Sequence, residues 1–260
     1  MIKLLRILLI QYSKMQFKDK VVLVTWASKG IGKATALEFA KEGAIVVVNY
    51  MSSEKEAVLV VDEIKHIGWE WMAIKCDISQ EGEVQEMAEN IVKKFGRIDV
   101  LVNNAWIVFD VPFFERTVEQ WKRTLDVNLL GTYLCSKYVS EVMLKNNWGR
   151  IINVSSTNAM DSFSPDAMDY DASKAWIIVL TRDLAKQLAP KIQVNAVAPG
   201  WVNTDMNKDL PEDFIQEENE KIYIKRFAQP NEIANVILFL ASERASYING
   251  STLKVDGGHW

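Results

Sequence analysis

Two stretches of this 260-residue chain carry residues fit for chemistry. In Tyr170-Asp171-Ala172-Ser173-Lys174 a tyrosine and a lysine stand four apart. On a helix that spacing sets a phenol and an ammonium on one side, where the positive charge favours the ionised phenol. The pair alone is not specific, because it recurs at Tyr133 and Lys137. Position decides between them. Tyr133 falls midway along a long helical stretch, whereas Tyr170 opens a helix after Ser155-Ser156, where a strand end can present a hydroxyl to the same crevice. The second stretch is Thr25-Trp26-Ala27-Ser28-Lys29-Gly30-Ile31-Gly32, between an apolar run and a helical one. Gly30 and Gly32 suit a tight strand-to-helix turn whose backbone amides approach a pyrophosphate seated on the helix N-terminus.

The elements that must position these groups follow from periodicity. Short, largely apolar runs at 21–25, 45–49, 72–76, 100–102, 150–155, 193–196 and 252–255 read as strands. Apolar residues recurring at three and four predict helices over 33–41, 54–67, 81–95, 118–144, 170–188 and 233–241. Runs without alternation suit strands covered on both faces. Strands alternating with helices imply right-handed crossovers and a parallel sheet. The expected fold is a single-domain α/β doubly wound parallel sheet flanked by helices, of Rossmann type, with ligands at the carboxyl ends of the strands. Residues 1–14 read as a tail ahead of a domain spanning 15–260, with Met15 an equal candidate for the first residue. The apolar run at 1–10 is broken by Lys3 and Arg6, far short of the ~20 residues that span a bilayer, and has no small-residue cleavage site.

Composition narrows the function. Thirty basic against 34 acidic residues leave a net charge of −4 without blocks of either sign. That argues against nucleic acid or an anionic membrane as the main partner. Cys76 and Cys135 form neither a disulfide framework nor a metal spacing, and fit a reducing cytoplasm. Only His66 and His259 are present, too few and too distant for a His-based metal site or a Ser-His-Asp triad. No metal is expected.

The turn at 25–32 resembles the TGxxxGxG pattern of the short-chain dehydrogenases/reductases. The likeness runs from about Met15 to Gly258: Asn103-Asn104-Ala105-Trp106 resembles NNAG, Val127-Asn128-Leu129 carries the family asparagine, and Tyr170 to Lys174 matches YxASK. Pro199-Gly200-Trp201-Val202 and Val255-Asp256-Gly257-Gly258 resemble two further family segments. The resemblance implies hydride transfer between nicotinamide C4 and a carbonyl or alcohol carbon. Tyr170 is then the general acid/base, aided by Lys174, with Ser156 rather than Ser155 bonded to the substrate oxygen and Asn128 holding a water that links Lys174 to solvent.

The same resemblance assigns the cofactor contacts. Thr25, Ser28, Lys29, Gly30, Ile31 and Gly32 form the phosphate turn, and Asn49 ends the second strand. No acid follows until Glu54, so the ribose-binding carboxylate of NAD sites is missing. NADP(H) is favoured over NAD(H), with Lys29 pairing with the 2′-phosphate. Asp77, with Ile78 beside it, would receive the adenine amino group. Asn104, Ala105, Lys174, Pro199, Gly200, Val202 and Thr204 line the ribose and carboxamide. Residues 205–227 correspond to the substrate lid. The layout is similar to 3-oxoacyl-acyl-carrier-protein reductases, acting on acyl thioesters, and to glucose 1-dehydrogenases acting on a small molecule; the first is favoured. The family implies a homotetramer, which the helices at 118–144 and 170–188 would suit.

Tryptophan breaks the pattern. Trp26, Trp106 and Trp176 stand where the family has glycine, and Trp69, Trp71, Trp148 and Trp260 are weaker cases, whereas Trp121 and Trp201 look native. Average usage predicts roughly 18 glycines, yet the chain has 12 beside nine tryptophans. An altered version of an ordinary family member is the reading this supports. Its rival is a non-catalytic variant whose adenosine crevice is obstructed by Trp26 and Trp106.

Overall fold

The computed structural model describes residues 15–259; the tail at 1–14 and Trp260 lie outside the described residues. Seven strands, β1 (Val21–Val24), β2 (Ile45–Tyr50), β3 (Trp71–Lys75), β4 (Val100–Asn103), β5 (Gly149–Val154), β6 (Ile192–Pro199) and β7 (Thr252–Val255), form one sheet. Their order is β3-β2-β1-β4-β5-β6-β7, and every pairing is parallel. Strands β1, β4 and β5 are buried at every position, which is why their sequences are apolar without alternation.

Helices cover both faces. On one side α1 (Gly30–Lys41), α2 (Glu54–Ile67) and α8 (Pro230–Ala241) close a core around Phe39, Val60, Ile64 and Ile237. On the other, α3 (Glu81–Phe95), α5 (Gly131–Lys145) and α6 (Met168–Leu188) close a second core around Met87, Ile91, Leu134 and Met143. The sheet runs outward in opposite directions from β1 and β4, opening a crevice at their carboxyl ends. The turn at 25–32 and the Asn103–Asn104 segment stand on either side of it.

Two differences from the sequence reading bear on the site. Helix α1 starts at Gly30, because the glycines that serve the turn also form its first helical residues. The helix expected over 118–144 is α4 (Val118–Leu125), a π-helical turn at Asp126–Leu130, and α5. Such wide turns cluster at functional sites, and this one holds Asn128. Over five residues a π turn leaves no separate mark on apolar periodicity.

Candidate active site

Strand β5 delivers Ser155 and Ser156 to the crevice, and the first turn of α6 delivers Tyr170. Ser155 donates its hydroxyl to the Lys174 carbonyl at 2.8 Å, tying α6 to the strand end. Ser156 accepts from the Asn158 amide at 3.2 Å and lines one cavity with Tyr170. With the Ser155 hydroxyl taken up by α6, Ser156 is the member of the pair left on the phenol's side. Lys174, only 1% exposed, donates its ammonium to the Val154 carbonyl at 2.7 Å and lies 5.5 Å from the centre of the Tyr170 ring.

Asn128, fully buried, joins two segments beside the lysine. Its Oδ1 accepts from the Ile107 amide at 2.8 Å, while Nδ2 donates to the Ile107 carbonyl and to Ser173 Oγ, both at 3.0 Å. The side chain is thus spent on clasping the 107 loop to the residue before Lys174. The lysine itself bonds to β5.

The electrostatics also depart from expectation. Burial pushes the Tyr170 phenol up to about 12, opposed by its bond with Ser156 and reinforced by the Asp171 charge. Burial alone brings the Lys174 amine down to about 7. Instead of an ammonium that ionises the phenol, both groups are driven towards their neutral forms.

Around the phosphate turn, polar side chains bond the backbone of neighbouring segments. Thr25 Oγ1 accepts from the Asn104 and Ala105 amides at 2.9 and 3.0 Å, and Asn104 Nδ2 donates to the Thr25 carbonyl at 3.0 Å. The fully buried Asn49 accepts from the Trp26 amide at 3.2 Å and donates to the Cys76 carbonyl at 3.2 Å. Thr25, Asn49 and Asn104 are therefore stitches that hold the turn. Gly32 is needed for close approach: a Cβ there would lie 2.6 Å from both Asn104 Nδ2 and the Trp26 carbonyl.

Lys29, expected to face a 2′-phosphate, pairs with Glu56 of α2 at 2.9 Å. The Asp77 carboxylate accepts from Ser79 Oγ at 2.7 Å and from Arg123 at 3.1 Å. Burial works to raise its pKa, but those partners hold it below the usual carboxylate range. Arg123 was not singled out in the sequence. Ile78 and Ala105 sit in the second core.

A cavity of about 640 Å³ opens over the catalytic group. Ile31, Pro199, Gly200, Val202 and Thr204 line it with Tyr170 and Ser156, so this end fits a nicotinamide and its carboxamide. Gly30 adjoins Thr204, whose Cγ2 would lie 3.4 Å from a Cβ at 30. Lys29, Asn49, Asp77, Ile78 and Ala105 are not among the residues that line this cavity. Trp106 lies elsewhere than expected. Its ring packs 5.3 Å from that of Tyr170, over the catalytic group rather than the adenosine crevice. Trp176 is 63% exposed on the outer face of α6.

Sequence reasoning also missed what surrounds Tyr170 on its own helix. Asp169 accepts from the buried Arg116 guanidinium at 2.6 Å and from Thr124 Oγ1 at 2.7 Å. Arg116 in turn donates to the Phe109 and Val111 carbonyls at 2.7 and 3.2 Å. Asp171 accepts from Asn158 Nδ2 at 2.8 Å and the Ser164 amide at 2.9 Å. The tyrosine is flanked by two carboxylates that tether two separate loops. Two acids in a first helical turn are the only sequence signal, and their partners are distant in the chain.

In the segment after β6, helix α7 (Glu212–Lys221) closes over the cavity. Trp201 stacks on Phe227 at 5.4 Å and donates Nε1 to Glu218 at 2.7 Å; Glu218 also lies 3.3 Å from His259 Nε2. Among the described residues, no group of three His, Cys, Asp or Glu could hold a metal ion.

Comparison with known proteins agrees with this geometry. A family model described as enoyl-(acyl carrier protein) reductase matches residues 26–259. The 3-oxoacyl-[acyl-carrier-protein] reductase of Synechocystis sp. is 45% identical, over 92% of this chain and 96% of its own. The Staphylococcus epidermidis 3-oxoacyl-[acyl-carrier-protein] reductase FabG is 43% identical, over 92% and 98%. Among solved structures, a mutant short-chain dehydrogenase/reductase from Serratia marcescens superposes with a TM-score of 0.89 at 34% identity, covering 94% and 98% of the two chains. Acetoin dehydrogenase YohF from Salmonella typhimurium gives 0.84 at 36% identity, covering 92% and 95%. With the Ser156, Tyr170 and Lys174 group at the switch point of a doubly wound sheet, the chain belongs to the short-chain dehydrogenase/reductase family of hydride-transferring oxidoreductases.

Proposed function

We propose that this chain is an NADP(H)-linked reductase of 3-oxoacyl thioesters carried on acyl carrier protein. The observation that carries the chemistry is the meeting of Tyr170 and Ser156 at the wall of one cavity, with Lys174 one helical turn below. Two hydroxyls on one wall can bond a single substrate oxygen and orient its carbon. A nicotinamide, when bound, supplies or removes the hydride. Tyr170 Oη gives its proton to the oxygen in reduction and takes it back in oxidation. Lys174 Nζ, with a pKa near 7, exchanges a proton readily at neutral pH.

The thioester assignment is supported by the relatives' names and by their coverage of nearly the whole chain. The NADP(H) preference is supported by the missing acid at the end of β2, although Lys29 must leave Glu56 to serve it. Residues 205–227 act as the lid, with Trp201 as their anchor. A homotetramer built on the exposed apolar face of Leu130, Tyr133, Trp176 and Val179 accompanies this reading, as does a cytoplasmic location. Among the described residues, no helix is long and apolar enough to cross a membrane.

The test is turnover of acetoacetyl thioesters with NADPH and NADH, beside glucose with the oxidised cofactors. NADPH-dependent loss of the thioester that disappears in Tyr170→Phe is the expected result. Turnover of glucose alone would reassign the chain to sugar oxidation.

A further inference from the structure

The phosphate turn carries two marks of a residue that does not belong to its backbone. Trp26 has φ of 49°, in the left-handed region that glycine enters freely and a bulky side chain does not. Its indole Nε1 is buried without a hydrogen-bond partner among the described residues, although a buried indole N–H usually finds one. The Trp26 amide is held by Asn49, and its carbonyl lies 2.6 Å from where a Cβ on Gly32 would stand.

The indole's direction matters as much. Trp26 packs against the core cluster that contains Ile78 and Ala105, the neighbours in sequence of Asp77 and Asn104. A dinucleotide lies across the switch point of such a sheet, with its adenosine on the side of the phosphate turn and β2. The cavity beneath the lid has Ile31 and Trp106 in its wall but not Lys29, Asn49 or Asp77.

We infer that Trp26 plugs the adenosine half of the cofactor crevice on a backbone built for glycine, and so limits how tightly this chain holds a dinucleotide. The inference rests on the hydride-transfer reading above, and it assigns the limit to one residue. Trp106 is not that residue, since its ring lies on Tyr170 at the other end.

Calorimetric titration with NADPH and NADH, together with thermal melts of the full chain, tests it. Trp26→Gly is expected to bind NADPH at least tenfold more tightly than the parent and to melt about 2–4 °C higher. Trp26→Ala keeps a Cβ at positive φ, so it should gain affinity with a smaller rise in melting temperature; it also serves if the glycine variant folds poorly. Unchanged NADPH affinity in both variants overturns the inference, whatever the melts show, and leaves hydride transfer standing if the parent turns over. Absence of NADPH and NADH binding in the parent, in Trp26→Gly and in the Trp26→Gly/Trp106→Gly double variant overturns both readings.

Discussion

The two ends of the crevice use similar residues to opposite effect. At the β5–α6 end, Ser156 and Tyr170 face a cavity, and the groups that steady them lie behind: Ser155 on α6, Asn128 on the 107 loop, Arg116 on Asp169. At the β1–β2–β3 end, Thr25, Asn49 and Asn104 bond neighbouring backbone, Lys29 is paired with Glu56, and an indole sits on strained backbone. A polar residue is available to a ligand only where the fold has supplied another group to do the structural bonding. The catalytic end has that second layer. The adenosine end has spent its first layer on itself.

The largest expected effect breaks the catalytic end at its front. Tyr170→Phe removes the proton carrier but not the ring that packs on Trp106, so turnover should fall by ~10²–10⁴-fold with thermal stability little changed; steady-state kinetics beside a melt would show the split. Next is the layer behind. Arg116→Met leaves the Asp169 carboxylate buried without its cation, which typically costs 3–5 kcal/mol, read by urea unfolding. The double variant Arg116→Met/Asp169→Leu should recover most of that loss. If it does not, the pair contributes more than mutual neutralisation.

A pH titration sharpens the same comparison. In the unfolded chain Lys174 stays protonated to pH ~10, whereas in the fold its pKa lies near 7. Above pH 7 the unfolded state thus binds the extra proton, and stability rises with pH by up to about 1.4 kcal/mol per unit. The window is pH 7 to 8.5, because above it the thiols of Cys76 and Cys135, whose pKa values burial raises, act in the opposite direction. Lys174→Met should flatten that slope in denaturation curves. The smallest effect belongs to the adenosine end. Glu56→Gln releases Lys29 and should raise the preference for NADPH over NADH by a few-fold, without a measurable change in unfolding midpoint. An unaltered cofactor ratio would mean that Lys29 does not reach the phosphate position.

Much of this was legible before any coordinates. The apolar runs located all seven strands because strands covered on both faces leave no polar alternation. Tyr170, Lys174 and Ser156 stood out because a helical spacing followed a strand end. Of the serine pair, Ser155 bonds the Lys174 carbonyl, whereas Ser156 bonds only the neighbouring Asn158. What stayed hidden was which polar side chains face outward. Asn49 and Asn104 resemble ligand-binding residues in type and place, but their amides are used by backbone 20 to 80 residues away. Arg116 gave no signal at all, since its partner lies 53 positions along the chain. Trp106 was assigned to the wrong end because its neighbours in sequence lie at the crossing of the two halves.

Order along the chain is enough for the strand–helix alternation, the parallel sheet and the choice of Ser156, Tyr170 and Lys174 as candidates, because each depends on periods of two or 3.6 residues and on short spacings. Which groups remain free, how far burial moves the phenol and the amine, and where an indole comes to rest depend on atoms brought together from remote segments. Desolvation and hydrogen-bond saturation are properties of that enclosure, and no local pattern encodes them.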